Sequence, residues 1–278
     1  MLGNYSEVVE TARQYYNSED ADNFYYHVWG GEDIHIGLYE TEQDSIAEAS
    51  RRTVELMADL ARNLSQHAMA IDLGSGYGGS ARYLAKRFGC HVTALNLSEA
   101  ENERNRDLNA KQLLSDRITV LDGSFESIPA EDGVFDLAWS QDAILHSGHR
   151  KQVIDEVARV LKPGGELIFT DPMQADDCPE GVLQPVLDRI HLDSLGSFAF
   201  YREAAASAGL EVVETVEMTE QLVNHYSRVR YELAAQRESL NGKVSDEYVE
   251  RMHKGLGHWI DAGKQGYLAW GILHFRKP

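Results

Sequence analysis

The run Ala70-Ile71-Asp72-Leu73-Gly74-Ser75-Gly76-Tyr77-Gly78-Gly79 constrains the fold more than any other stretch of the chain. An apolar segment reaches an acid, four glycines fall within six positions, and Ser80-Ala81-Arg82-Tyr83-Leu84-Ala85 opens a helical pattern. That order describes a buried strand turning tightly into a helix. Glycines at 74, 76 and 78 permit positive φ and let backbone approach a ligand of nucleotide size.

The rest of the chain repeats the strand-and-helix alternation. Strands are expected over 90–95, 117–121, 134–139 and 166–170, the last after the turn Lys162-Pro163-Gly164-Gly165. Ser98 and Glu101 have the spacing of a capping box for the helix that follows, and 149–161 reads as another helix. Such alternation predicts a parallel sheet wound by right-handed crossovers. Upstream, 5–16 reads as a helix, 24–31 as an aromatic lid over a pocket, and Thr41 with Asp44 as the cap of a helix over 43–63. Downstream, 176–197 breaks the rhythm. Helices over 200–208, 220–240 and 245–262, a strand over 210–216 and an edge or closing strand over 267–275 complete the expectation. The division expected is a cap over 1–65 and a core over 66–278, with lid segments at about 176–197 and 219–262.

Lys and Arg total 26 against 45 Asp and Glu in 278 residues, a formal charge of −19 that repels nucleic acid and anionic membranes. Such acidity fits the salt-rich cytoplasm of a halophile. Cys90 and Cys178 are far apart and in no metal-like spacing, so neither a disulfide framework nor a metal site is expected. With no basic-then-apolar leader and no long apolar run, a cytoplasmic protein is the expectation.

The second strand ends at Asn96, where a dinucleotide fold places an acid for the ribose. No Lys-Ser/Thr follows the glycines, so a phosphate cradle is not indicated. The order of motifs over 70–171 resembles class I S-adenosylmethionine-dependent methyltransferases: Ile71-Asp-Leu-Gly-Ser-Gly-Tyr-Gly, Leu95-Asn96, Gly123-Ser-Phe-Glu-Ser-Ile-Pro129 and Leu161-Lys-Pro-Gly-Gly. The resemblance implies an α/β fold, a Rossmann-like, mostly parallel seven-stranded sheet with a helical N-terminal cap and lid insertions. It implies S-adenosyl-L-methionine as cofactor and S-adenosyl-L-homocysteine as product. Gly74 and Gly76 would approach methionine and ribose, Asn96 and Leu97 the ribose, and Ser124 and Phe125 the adenine. The usual acids at 96 and 124 are here Asn and Ser. The cofactor set it implies also contains His35, Ile36, Asp72, Ser75, Asn102, Gly123, Ser140 and Gln141.

Trp139-Ser-Gln-Asp-Ala-Ile-Leu-His-Ser147 lies where the fourth strand ends. On a helix, Asp142 and His146 would share a face one turn apart, able to orient an imidazole and remove a proton. Methyl transfer to an amine needs that proton gone, and aromatic rings near the entrance would stabilise cationic species. Asp142-Ala-Ile-Leu-His146 and the N-terminal tyrosines look like phosphoethanolamine methyltransferases, which implies catalytic roles for Asp142, His146, Tyr16 and Tyr25, and a phosphate-binding one for Arg189. Over its whole length, including Trp29-Gly30, His35-Ile-Gly-Leu-Tyr39 and Leu95-Asn-Leu-Ser-Glu, the chain resembles the sarcosine/dimethylglycine N-methyltransferases more closely. Arg189 would then clamp a carboxylate, with Tyr26, Trp29 and His191 also at the substrate. The partner implied is a small amino acid, sarcosine or dimethylglycine, taken by a monomer or homodimer. Another small amine, a phenolic or lipid acceptor, and a non-catalytic S-adenosylmethionine-binding protein remain open at this level.

Overall fold

The computed structural model describes residues 7–278. Helices α1 (Glu7–Tyr16) and α2 (Glu19–Phe24) lead into a π-helical turn over Tyr25–Trp29. Residues 5 and 6 of the first expected helix lie outside the described residues. Helix α3 (Ile46–Leu60) begins later than expected. Ser45, not Thr41, is its N-cap, accepting from Glu48 N at 3.2 Å while the Glu48 carboxylate accepts from Ser45 N at 3.1 Å. Asp44 closes the preceding turn on Thr41 and Glu40 N.

The alternating part runs β1 (Met69–Leu73), α4 (Gly79–Phe88), β2 (His91–Asn96), α5 (Glu99–Lys111), β3 (Ile118–Asp122), β4 (Phe135–Gln141), α6 (Arg150–Val160) and β5 (Leu161–Thr170). Then come β6 (Met173–Gln174), α7 (Gln184–Ile190), α8 (Phe198–Ser207), β7 (Glu211–Glu217), α9 (Thr219–Ala235), α10 (Arg237–Leu240), α11 (Asp246–Lys264), β8 (Leu268–Ala269) and β9 (Gly271–Arg276). The main sheet has seven strands in the order β3-β2-β1-β4-β5-β9-β7, all parallel except β9, which is antiparallel to both neighbours.

Two strand expectations change in place. Strand β9 closes the sheet from inside it, between β5 and β7, because Gly271 through Phe275 are buried on both faces. The edge falls to β7, whose Glu211, Glu214 and Glu217 suit an unpaired rim. Lys162-Pro163-Gly164-Gly165 does not precede β5 but bulges out of it: Phe135 pairs with Leu161 and Leu137 with Glu166 across the excursion.

Apolar packing ties the N-terminal segment to the late helices. Phe24, Trp29, Leu222, Tyr226, Val229 and Trp259 belong to one buried cluster, separate from the two that cover the faces of the sheet. The rings of 24–29 therefore fill a core of their own and at the same time supply Tyr25 and Trp29 to a cleft wall. This roof of α1, α2, α9 and α11 covers the carboxyl ends of β1, β2 and β4, the edge at which open α/β sheets bind ligands.

Candidate active site

The glycine loop leaves β1 with Gly74 and Gly76 at φ +74 and +49. Gly74 N and Ser75 N both donate to Leu95 O, at 2.8 and 3.2 Å, which ties the loop to the end of β2. A Cβ on Gly74 would lie 2.3 Å from that of Ala143, and one on Gly76 would lie 2.9 Å from Ile34 Cδ1. These glycines therefore serve the protein's own closure as much as a ligand: they let the 34–36 segment and the turn after β4 come down onto the loop. Beneath lies a cleft of about 1400 Å³, counted out to its open mouth, walled by both sheet edge and roof.

Buried polar atoms that make no hydrogen bond among the described residues test which ligand fits; two of them, Asp33 Oδ1 and His35 Nε2, lie 3.9 Å apart. Asp72 Oδ2, Asp33 Oδ1, Ser75 Oγ, His35 Nε2 and Gln141 Nε2 are such atoms, and their residues line one polar recess that opens from the loop. Gln141 accepts through Oε1 from Trp139 Nε1 at 3.0 Å and from the Ser80 hydroxyl, which leaves its NH₂ as a donor into the recess. Acceptors beside donors, all dehydrated, match the ammonium and carboxylate of an amino acid such as the methionine end of the cofactor. Burial pushes the Asp72 carboxyl up to about 7, with Asp33 adding to the rise and Arg82 opposing it. Further along the cleft, Asn96 Nδ2 donates to Glu101 at 2.8 Å. Glu101, buried and pushed up to about 7 by desolvation, supplies from α5 the acid that β2 lacks at position 96. Phe125 and Leu97 give the apolar walls an adenine needs. The residues fit S-adenosylmethionine.

At the other end of the cleft the expected Asp142–His146 pairing is replaced. The chain does not turn α-helical there: Asp142 takes φ +52, and Ile144–His146 form a 3₁₀ turn. The Asp142 carboxylate accepts from Ile36 N at 2.6 Å and from Trp270 Nε1 at 2.8 Å, so it joins the core to the roof and does not orient the imidazole. His146 Nε2 is instead 2.8 Å from the Tyr16 hydroxyl, and the Tyr16 ring lies 5.7 Å from that of Tyr25. Burial, together with the positive charges of Arg150 and Arg189, lowers the His146 pKa to about 4, so the ring is uncharged at neutral pH. Tyr16 and Tyr25 are raised well above ordinary phenols, chiefly by burial.

Of the expected site residues, Tyr16, Tyr25, Trp29, His35, Ile36, Gly74, Gly76, Asn96, Leu97, Phe125, Gln141, Asp142, His146, Arg189 and His191 line the main cleft. Asp72 and Ser75 line the polar recess. The others stand behind these walls. Asn102 donates to Asn96 O and Asp122 Oδ1, Gly123 N donates to Asn96 O, and the Ser140 hydroxyl donates to Leu73 O. Ser124 Oγ accepts from Glu126 N. Each fixes a strand end or turn, and none lines the cleft. Tyr26 points away: it is 43% exposed, with the Arg104 guanidinium 4.3 Å over its ring. Sequence reading missed Glu101, taken only as a cap residue, and Tyr226, Met252 and Trp259, whose helices read as ordinary amphipathic lids.

A seven-stranded sheet of this order with a glycine loop and a polar recess at its carboxyl edge, together with the match of residues 71–169 to the family model described as a methyltransferase domain, defines a class I S-adenosylmethionine-dependent methyltransferase. The sarcosine/dimethylglycine N-methyltransferase of Halorhodospira halochloris is 58% identical over 98% of this chain and 97% of its own. That of Aphanothece halophytica is 57% identical over 98% of both chains. A crystal structure from Galdieria sulphuraria, assigned as a sarcosine dimethylglycine methyltransferase, superposes with a TM-score of 0.90 at 46% identity, covering 95% of this chain and 98% of that one. The chain belongs to the sarcosine/dimethylglycine N-methyltransferase family.

Proposed function

We infer that this enzyme methylates sarcosine and dimethylglycine to glycine betaine. The observation that carries the reading is Arg189. Its guanidinium lines the cleft and forms no ion pair with any described carboxylate, in a chain where acids outnumber bases 45 to 26. Its nearest polar partner is the Met252 thioether, 3.4 Å from Nη2. A guanidinium left free in so acidic a chain is available to a substrate carboxylate, which it binds bidentately.

Bound S-adenosylmethionine supplies a methyl group on a positively charged sulfur. With the carboxylate on Arg189, the amine end lies among Tyr25, Trp29 and Tyr226, whose ring faces favour a cation. Desolvation there lowers the ammonium pKa. The uncharged His146, seated against Tyr16, accepts the proton that blocks the nitrogen lone pair. A carboxylate on Arg189 also offsets one of the charges that depress His146, so substrate binding makes the imidazole a better base. With its lone pair freed, the nitrogen would be held to receive the methyl group that S-adenosylmethionine would supply. Tyr16 and Tyr25 close the roof and keep water out.

The test is transfer of labelled methyl from S-adenosylmethionine across glycine, sarcosine, dimethylglycine, phosphoethanolamine and a phenol. Label in dimethylglycine and betaine is expected. Absence of any labelled amino acid would refute the reading, and label in phosphoethanolamine alone would reassign Arg189 to phosphate.

A further inference from the structure

Helix α11 presents Met252, Gly255 and Trp259 to the cleft side, spaced three and then four residues apart and so on one face. Gly255 is the seat of Arg189. A Cβ there would stand 2.2 Å from Arg189 Cδ and 2.6 Å from Nε, so only glycine lets the arginine stem lie across the helix. Trp259 lies one turn further along. It is 1% exposed, lines the cleft, and packs its ring 5.1 Å from that of Tyr226.

Among the described residues the indole N–H of Trp259 has no partner. The chain has four tryptophans, and the other three all donate to the protein: Trp29 to His35 O, Trp139 to Gln141 Oε1 and Trp270 to Asp142 Oδ1. An indole nitrogen can only donate, and a buried donor left unpaired is destabilising. A packing role alone would be served by phenylalanine, which carries no such cost. The group that removes it must bring an acceptor into the cleft beside the arginine seat.

We propose that Trp259 Nε1–H is the second donor to the substrate carboxylate, acting with Arg189. This rests on the amino-acid reading of the cleft given above. The pair gives the acid end two anchors of different character, a charged fork and a neutral donor on a rigid ring. An amine of similar size without the acid leaves both unpaired and is rejected on that account.

Trp259→Phe keeps the ring against Tyr226 and deletes only the donor. The KM for dimethylglycine is expected to rise about tenfold, as for loss of one hydrogen bond to a charged group, with kcat and S-adenosylhomocysteine affinity within twofold of wild type. An unchanged KM in Trp259→Phe beside a raised KM in Arg189→Ala overturns the Trp259 assignment alone. Unchanged KM in both variants overturns the amino-acid reading as well. A second measurement needs no stable variant: in ¹⁵N-indole-labelled wild type with S-adenosylhomocysteine, adding dimethylglycine should move the Trp259 indole N–H resonance downfield, as a new hydrogen bond to a carboxylate does, and choline, which has no carboxylate, should not. The absence of a shift on dimethylglycine, or an equal shift with choline, overturns the proposal.

Discussion

The Tyr16 hydroxyl lies 2.8 Å from Nε2 of His146, joining α1 to a turn 130 residues later in the chain. One bond thus links the roof over the cleft to the ring proposed to accept the proton. Tyr16→Phe and His146→Ala should each lower kcat about 10²-fold, within the usual range for positioned acid–base groups. The double variant should lose little more than either single one, because the two act as a unit. S-adenosylhomocysteine affinity, read by calorimetry, should stay within a few-fold. Fully additive losses would mean that the tyrosine acts apart from the imidazole.

Asp72 should make cofactor binding pH-dependent. Its carboxyl, pushed up to about 7 by burial, is half protonated near neutrality. A bound ammonium favours the ionised form, so S-adenosylhomocysteine affinity should rise with pH through about 7 and level above it. Below pH 6 it should fall about tenfold per unit, one proton being taken up on release. Asp72→Asn should weaken binding at pH 8 and flatten the profile. A wild-type profile that is flat from pH 5.5 to 8 would remove Asp72 from the ammonium site.

Asp142 separates a positioning role from a basic one. Asp142→Ala leaves Ile36 N–H and Trp270 Nε1–H unpaired, about 1–3 kcal/mol each, and a chain of this size should lose several °C in Tm. Because Ile36 lines the cleft, cofactor affinity should fall with it. Asp142→Asn keeps one acceptor oxygen for one of the two donors and turns its NH₂ toward the other, so it should lose less Tm than Ala and retain kcat within about tenfold. If Asn is as inactive as Ala while Tm is preserved, Asp142 is a base and not a clasp.

What the sequence disclosed follows a physical line. Period and glycine placement are local, so β1, its loop and the alternation with α4, α5 and α6 could be read directly, as could the residues at the strand ends: Gly74, Asn96, Gln141. Which acid serves which partner is not local. Asp142 and His146 have the spacing of a helical pair, but the backbone turns left-handed at 142, and the partners come from Ile36, Trp270 and Tyr16, far away in the chain. Trp259 and Tyr226 were hidden for a different reason: an aromatic residue on an amphipathic helix has the same pattern whether its ring ends in a core or a cleft. Tyr26 fell among the lid tyrosines but on the outer side of the π-helical turn, a backbone form that periodicity does not reveal.

Arg189 and His146 should be electrostatically coupled. Desolvation, Arg150 and Arg189 together hold His146 at about 4, so in the free enzyme the imidazole charges only as pH falls through that value, and no break near 6.5 is expected from it. A carboxylate paired with Arg189 offsets its positive field, which favours the imidazolium and raises the pKa. 3,3-Dimethylbutyrate, the isostere of glycine betaine with an uncharged carbon in place of the nitrogen, gives with S-adenosylhomocysteine a complex that carries this carboxylate, sets no cation beside the imidazole and cannot react. Titration of the His146 ring by NMR in that complex should give a higher pKa than in the S-adenosylhomocysteine complex alone. In Arg189→Met the starting pKa should already be higher and the isostere should not move it, while the KM for dimethylglycine rises about 10- to 100-fold, as for a charge-assisted pair. A His146 pKa that the bound isostere leaves unmoved in wild type would place the substrate carboxylate away from Arg189.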